Sequence, residues 1–153
     1  MKKLFALALV VGCGTSADPA STPPDGFAEA VATPECAPFD GPATSIYLAA
    51  EVIELEGAAP GEIPAPHVRV SIYRDVDDLA GDRFEVDGST VADATRCTTE
   101  GECEGAVRGL VRIEEAARGD GVSGEVDLQF PAGVVAGSFE ARWQEPTFQI
   151  LCG

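Results

Sequence analysis

The sequence predicts an all-β protein, built as an antiparallel β-sandwich or a small barrel of about six to eight short strands. Apolar and polar residues alternate with a period of two in several short stretches, which is typical of strands with one buried face. Turn signals containing glycine or proline separate these stretches at intervals of about ten residues. The strongest alternation lies in residues 122–143 and predicts a hairpin.

Four strands are predicted before residue 100. In one of them, Val68, Val70 and Ile72 alternate with polar residues. Residues 57–66 hold three prolines and two glycines, which indicates a loop. The four strands are expected at residues 44–52, 68–73, 83–86 and 91–97.

The stretch 106–115 fits two kinds of element. Leu110 and Val111 would share a helical face, whereas Val111 and Ile113 fit an alternating strand. Gly109 would destabilise a helix by about 1 kcal/mol, and β-branched residues are frequent here. We therefore predict a strand.

The hairpin prediction includes a register. Apolar residues occupy even positions from Val122 to Phe130 and odd positions from Val135 to Trp143. Because residues opposite each other in an antiparallel pair share a face, the loop must hold two or four residues. A last strand is predicted at residues 147–152. The expected pairs are Phe130 with Val135, Val126 with Phe139, and Val122 with Trp143.

The charge of the chain excludes some partners. Its formal net charge is −16, and both of its lysines, Lys2 and Lys3, lie at the extreme N-terminus. A surface this acidic repels phosphate backbones and anionic lipid headgroups. Nucleic acid is therefore not expected as a partner.

The N-terminus has the parts of a secretory signal peptide. Lys2 and Lys3 precede eight apolar residues, 4–11, which are followed by Gly12 and Cys13. Eight residues span only about 12 Å as a helix, against about 30 Å of bilayer hydrocarbon, so this segment is too short for a transmembrane anchor. The tetrapeptide Val10-Val11-Gly12-Cys13 resembles the lipobox of bacterial lipoproteins.

This resemblance implies cleavage after Gly12, lipid attachment at Cys13 and stable anchoring by more than one acyl chain. The expected location is the cell envelope, at the outer membrane of a Gram-negative bacterium, with the membrane contacted through Cys13. Residues 121–143 are also similar to the closing hairpin of small uncharacterised bacterial lipoproteins. That second similarity supports the all-β fold and implies no activity.

Three regions follow from this reasoning. Residues 1–12 form the signal peptide, and residues 13–43 form a flexible tether rich in proline, alanine and serine. The tether prediction rests on six prolines and few large apolar residues, which bury too little surface to offset the entropy of ordering. Residues 44–153 form the β domain.

Four cysteines besides Cys13 predict two disulfides in an exported chain, with three possible connectivities. Cys97 and Cys103 flank a short turn-like loop that can bring their Cα atoms within disulfide reach. The favoured pairing is therefore Cys97 with Cys103 and Cys36 with Cys152. A zinc site is the rival interpretation, but neither a CxxC spacing nor paired histidines are present.

An acidic run provides a weak calcium candidate, because carboxylate oxygens are calcium ligands. The spacing does not match an EF-hand loop, since Leu79 falls at position five when Asp75 is position one. A solvated loop is the favoured interpretation in so acidic a chain. The candidate ligands are Asp75, Asp77, Asp78 and Asp82.

Two further patterns carry little functional weight. His67 is the only histidine and opens a strand, but neither a Gly-x-Ser-x-Gly nor a Ser-x-x-Lys motif accompanies it. Arg118-Gly119-Asp120 spells an adhesion tripeptide, although Gly-Asp is also ordinary turn chemistry.

The sequence thus predicts a lipid-anchored envelope protein whose β domain is not an enzyme, needs no cofactor and serves binding or structure. The expected partner is another envelope protein, a polysaccharide or a small ligand. One alternative is a carrier with a ligand cavity inside the barrel. A less favoured alternative is a hydrolase with two carboxylates in a cleft, one of them with a raised pKa.

Overall fold

The computed structural model describes residues 23–53, 63–99, 102–147 and 151–152. This part of the chain holds nine β-strands and no α-helix. A one-turn 3₁₀ helix, Val76–Asp78, lies between the third and fourth strands. The strands are β1 Glu29–Cys36, β2 Pro42–Ala49, β3 His67–Ile72, β4 Arg83–Val86, β5 Ala92–Thr99, β6 Glu102–Gly105, β7 Arg108–Ala117, β8 Gly121–Phe130 and β9 Gly133–Trp143.

The nine strands form one curled, half-barrel sheet in the order β4-β7-β8-β9-β1-β2-β3-β5-β6. Neighbouring strands are antiparallel except β1 and β9, which run parallel. The all-β prediction is confirmed. Its finer form is not, because the sheet is mixed and has nine strands rather than six to eight.

The boundary of the predicted tether, residues 13–43, is wrong at its C-terminal end. β1 and the first residues of β2 lie within that range, and Val31 and Ala32 of β1 are fully buried. β1 has a strand on each side, and its central residues are buried on both faces. Its apolar and polar residues therefore alternate only weakly, and its small residues and proline give it the composition of a linker. Residues 13–22 and the signal-peptide region 1–12 lie outside the described residues.

The β8–β9 hairpin keeps the predicted faces but not the predicted pairs. Its turn contains two residues, so Phe130 pairs with Gly133, and Leu128 pairs with Val135. The register is therefore two residues tighter than expected. Gly133, the first residue after this turn, adopts a φ of +144°, which an L side chain rarely adopts.

The remaining strand predictions have mixed outcomes. The ambiguous stretch is a strand, β7, as predicted. β6 was not predicted and begins within the expected turn between Cys97 and Cys103. In the predicted last strand, Thr147, Leu151 and Cys152 belong to no strand, and residues 148–150 lie outside the described residues.

The concave side of the sheet is filled by apolar side chains. On β8, every even-numbered residue from Val122 to Phe130 is buried there, while alternate residues face solvent. Gly124 belongs to this row, and a Cβ at this position would lie 2.1 Å from the carbonyl oxygen of Arg112. The largest side chains of this main core are Ile46, Leu48, Ile72, Leu79, Phe84, Ile113, Leu128, Phe130 and Phe139.

Candidate functional site

The two halves of the sheet differ on their convex, outer face. β8 alternates between buried and exposed residues, as expected for a sheet with one solvated face. β2 is buried on both faces from Ala43 to Ala49. A second, small apolar cluster therefore lies on the outer face, formed by Val31, Tyr47, Ala49, Ile53 and Ile63.

The two described ends of the connection between β2 and β3 contribute to this cover. Ile53, near its start, and Ile63, near its end, both pack in the outer cluster with Tyr47. Arg142 of β9 donates a hydrogen bond through Nη2 to the carbonyl oxygen of Ile53. These contacts hold the ends of the connection against a face that would otherwise be solvated.

Polar side chains occupy the same outer face beside the apolar cluster. The strand register places Tyr47 opposite Arg69, and Ser71 opposite both Ser45 and Asp93. Because alternate residues of a strand share a face, these residues point the same way. We call the following set the outer-face cluster: Glu35, Ser45, Tyr47, Arg69, Ser71, Tyr73 and Asp93.

Glu35 anchors one side of the outer-face cluster. Ser45 donates a hydrogen bond through Oγ to Glu35 Oε2, and Ser45 Oγ lies 3.1 Å from Ser71 Oγ. Arg69 Nη1 lies 3.7 Å from Glu35 Oε1, an ion pair longer than a hydrogen bond. The side chains of Arg69 and Glu35 are 34% and 25% exposed, so the cluster reaches solvent at this pair.

Tyr73 and Asp93 form the other side of the cluster. The Tyr73 hydroxyl donates a hydrogen bond to Asp93 Oδ2. Burial and this bond raise the pKa of Tyr73 to about 12. The carboxylate therefore faces a protonated phenol across the whole neutral pH range.

Three buried polar atoms of the cluster make no hydrogen bond of good geometry, Tyr47 Oη, Arg69 Nε and Asp93 Oδ1, although the Tyr47 and Arg69 side chains interact with each other. Tyr47 is only 1% exposed. A buried polar group without a partner destabilises a fold by about 1–3 kcal/mol, so such groups are uncommon in native proteins. Three of them on one small face mark this cluster as a candidate binding site.

The electrostatics of the cluster keep its two tyrosines neutral and Arg69 charged near neutral pH. Burial, reinforced by the Glu35 carboxylate, raises the pKa of Tyr47 to about 12. For Arg69, burial acts to lower the pKa, but Glu35, Tyr47 and Asp93 together raise it. Near neutral pH the cluster therefore combines neutral tyrosines with a permanently charged guanidinium.

His67 lies next to the cluster rather than inside a catalytic triad. Its Nδ1 is 3.3 Å from the carbonyl oxygen of Pro64, and its ring packs edge-on against Tyr47 with the centroids 6.4 Å apart. Burial lowers the pKa of His67. The histidine thus supports the covering connection at its junction with β3.

The four body cysteines lie at disulfide distance in the predicted pairs. Cys36 and Cys152 have a Cα–Cα distance of 5.4 Å, and Cys97 and Cys103 one of 4.1 Å. The first pair joins the end of β1 to the C-terminal segment. The second pair joins β5 to the edge strand β6, where the two cysteines are directly opposite. Cys13, the predicted lipidation site, lies outside the described residues.

The acidic loop does not assemble a calcium site. Asp75 caps the 3₁₀ turn and accepts hydrogen bonds from Arg118, and Asp82 pairs with Arg74 at 2.9 Å. No group of three or more acidic, histidine or cysteine side chains is placed to hold a metal ion in the described parts of the chain. The candidates Asp75, Asp77, Asp78 and Asp82 serve as arginine partners or lie in solvent instead.

The Arg118-Gly119-Asp120 tripeptide occupies the β7–β8 turn, but its arginine is engaged within the fold. Arg118 Nη2 contacts both carboxylate oxygens of Asp75 at 2.9 and 2.8 Å, and its guanidinium lies 5.5 Å from the centre of the Trp143 ring. Glu145 joins this group by accepting a hydrogen bond from Trp143 Nε1 at 2.8 Å. An arginine held in this way is poorly placed for adhesion.

Apolar side chains pack the concave side of the described sheet. The grooves of the described surface open to solvent. One, of about 820 Å³, runs beside the β7–β8 turn and is lined by exposed acids including Glu114, Glu115 and Glu140.

The sequence prediction missed the outer-face cluster. The sequence does show polar residues on this face: Ser45 and Tyr47 alternate with apolar residues in β2, and Arg69 and Ser71 do so in β3. A row of polar residues on one face of a strand predicts that the face is solvated. Only the packing of the β2–β3 connection turns that face into a partly buried site.

Comparison with known proteins gives no relative from which a role could be transferred. No family model matches the sequence, and no match was found among the curated proteins or the solved structures. In the described residues, no helix has the length and apolar character needed to cross a membrane. Functional inference therefore depends on the geometry of the cluster and on the N-terminal motif.

Proposed function

We propose that this protein is a lipid-anchored component of the cell envelope whose β domain binds a partner through the outer-face cluster without catalysing a reaction. The observation that carries the proposal is the cluster of buried polar side chains on the outer face, where Tyr47 and Arg69 interact with each other and Asp93 Oδ1 has no hydrogen-bond partner. A face that keeps such groups despite their effect on stability is typical of a site whose hydrogen bonds are completed by another molecule.

Two features support the location in the envelope. The lipobox resemblance provides an anchor at Cys13, and all four other cysteines lie at disulfide distance in pairs. Disulfides persist in oxidising compartments such as the periplasm and the cell surface and are rare in the cytosol.

The anchor is tested by labelling cells with radioactive palmitate. Wild-type protein is expected to take up label and to fractionate with membranes, whereas Cys13→Ser is expected to lose both properties. The matched control is the double variant Cys97→Ser and Cys103→Ser, which loses two other cysteines and should keep the label. An unlabelled wild-type protein in the soluble fraction would contradict the anchor.

The binding face is tested by photo-crosslinking in intact cells. A photoreactive phenylalanine replaces Tyr73, at the rim of the cluster, or Val134, which is 63% exposed on β9 and serves as the control. We expect a discrete adduct or a polysaccharide smear from position 73 and not from position 134. Equal yields at both positions, or no adduct at either, would argue against this face.

A further inference from the structure

We infer that the edge of β9 at Ser138 and Glu140 is a docking site for an extended peptide segment of a partner protein, which adds to the sheet as a short strand. The segment carries a basic–apolar–basic sequence. This edge is separate from the outer-face cluster and would bind a segment whether or not that cluster binds anything.

β9 pairs with β8 along almost its whole length but hardly at all with β1. Of the eleven residues of β9, only Arg142 and Trp143 pair with β1, opposite Val31 and Ala32. The rest of this side of β9 therefore has no strand beside it in the described part of the chain.

Unpaired backbone groups of β9 point into the resulting gap. Alternate residues of a strand direct their N–H and C=O groups to the same side. The Gln144 N–H donates to the carbonyl oxygen of Ala32 at 2.8 Å, so the even-numbered residues of β9 are those that face β1. Ser138 and Glu140 belong to this set, and no described backbone group pairs with them on that side. Such groups are the ones that an added strand uses.

The chain ahead of β1 is held to β2 and leaves the gap open. The Phe27 N–H donates to the carbonyl oxygen of Pro24 at 3.0 Å, which closes a turn, and the Ala28 N–H donates to that of Ala49 on β2 at 2.9 Å. A groove of about 300 Å³ lies between this segment and β9. Its volume is at the lower limit of small-molecule sites, about 300–1,000 Å³, and suits an anchoring side chain better than a cofactor.

The floor of the groove is apolar and continuous with the main core. Leu48 and Phe139 are buried there, and Phe27 and Ala30 pack against the same core while they remain half-buried. An apolar side chain of the docked segment would extend this packing and remove partly exposed apolar surface from water.

Two acids flank the groove on the outer face. Glu29 and Glu140 alternate with the floor residues Ala30 and Phe139 along their strands, so their side chains point to the opposite face. Neither glutamate forms an ion pair with another described residue. In a chain with a net charge of −16, lysine or arginine beside these acids gains favourable charge pairs.

These features together specify the docked segment. Pairing with the β9 edge requires an extended chain, and alternate side chains of such a chain face opposite ways. One apolar side chain therefore enters the groove while its two neighbours, both basic, face the acids. Val134 is four residues from Ser138, about 13 Å along the strand, and does not line the groove.

The test is a titration of the full chain, as isolated from cells, with the fluorescent peptide acetyl-Thr-Lys-Leu-Lys-Thr-amide, followed by anisotropy. Three comparison peptides carry glutamate for both lysines, serine for leucine, or N-methyl groups on the three central residues. We expect saturable binding of the first peptide and at least about tenfold weaker binding of the others. Absence of binding, or equal binding of the N-methylated peptide, would overturn the inference because no strand would then be added.

Variants locate the binding. Ser138→Pro removes an N–H that is not part of the ladder with β8, so it should fold and weaken binding at least about fivefold. Glu140→Gln should weaken binding similarly, whereas Glu115→Gln, an exposed glutamate on β7, is the matched control and should bind like the wild type. Unchanged affinity in either folded test variant would refute the site.

Two further outcomes complete the test. Where Ser138→Pro does not fold, the N-methylated peptide examines the same backbone contact on the wild-type chain. Sedimentation of the chain as a dimer that the peptide dissociates would assign the edge of β9 to a second copy, and would contradict a partner protein as the occupant.

Discussion

Tyr47 and Arg69 stand directly opposite each other in the β2–β3 ladder, and each carries a buried polar atom that makes no hydrogen bond of good geometry. The pair lies on the outer face of the sheet, where a solvated strand would show an ordinary polar row. Ile53 and Ile63 pack on the same face and shield the tyrosine. Several measurable properties follow from this arrangement and from the contacts around it.

Tyrosine ionisation reports the burial of the cluster. The chain has two tyrosines, and the pKa of each is raised from 10.0 to about 12, so ultraviolet titration of the folded protein should have its midpoint near 12. In denaturant both should titrate near 10, and Tyr47→Phe should leave one titrating group. A folded-state midpoint near 10 would show that Tyr47 is not buried.

The same shift makes stability depend on alkaline pH. The folded-state pKa of Tyr47 exceeds the unfolded-state pKa, so its contribution is complete below pH 10 and is lost as pH rises towards about 12. The loss for Tyr47 amounts to about 2–3 kcal/mol. Urea unfolding at a series of pH values measures it, and Tyr47→Phe should show a shallower decline.

The two cysteine pairs should contribute unequally to stability. The Cys36–Cys152 pair spans 116 residues and the Cys97–Cys103 pair spans six. On the loop-entropy model, removing the first by paired serine substitutions destabilises by about 5 kcal/mol, and removing the second by about 2 kcal/mol. Denaturant unfolding of the two double variants compares them directly.

The order of reduction provides a second measurement on the same pairs. Cys103 is exposed on the edge strand, whereas Cys36 and Cys152 are both half-buried. Mild thiol treatment followed by mass mapping should therefore find Cys97 and Cys103 reduced first, because exposed disulfides are the more labile. Simultaneous reduction of both pairs would contradict this expectation.

Arg118 should stabilise the end of the sheet through Asp75 and Trp143. Because exposed ion pairs and cation–π contacts each contribute about 1 kcal/mol or less, Arg118→Gln should lower the unfolding free energy by about 1 kcal/mol. The chain has one tryptophan, so its fluorescence emission should shift in the same variant. Arg112→Gln removes an exposed ion pair without an aromatic partner and should leave the emission unchanged.

Gly124 should tolerate no side chain. A Cβ there would meet the backbone of Arg112 at 2.1 Å, next to the irregular register between Ile113 and Glu115 of β7. Gly124→Ala is expected to destabilise by about 1–3 kcal/mol or more through overpacking. Gly105→Ala is the control, since nothing lies within 4 Å of its Cβ position. Equal thermal midpoints for the two variants would contradict the close approach.

Predictions based on local alternation were the most accurate. The bounds of β4, Arg83–Val86, match the predicted strand, and β8 and β9 keep their predicted faces. Both predictions rest on the alternation of apolar and polar residues along one strand, which depends only on neighbouring positions in the sequence. The pairing of Phe130 with Val135 was wrong because turns of two and of four residues keep the same faces, so alternation does not choose between them.

The sequence by itself determined the strand-forming character of the body and the inward faces of its hairpin, and it favoured the cysteine pairs that lie at disulfide distance. Only the tertiary structure decided that Glu29–Cys36 is a central strand and that Ser45 and Tyr47 are buried beside the partly exposed Arg69. The physical reason is that burial depends on what packs on a face. For Tyr47 the covering atoms include Ile53 and Ile63, at the two ends of the β2–β3 connection, and no periodicity within a strand specifies that contact.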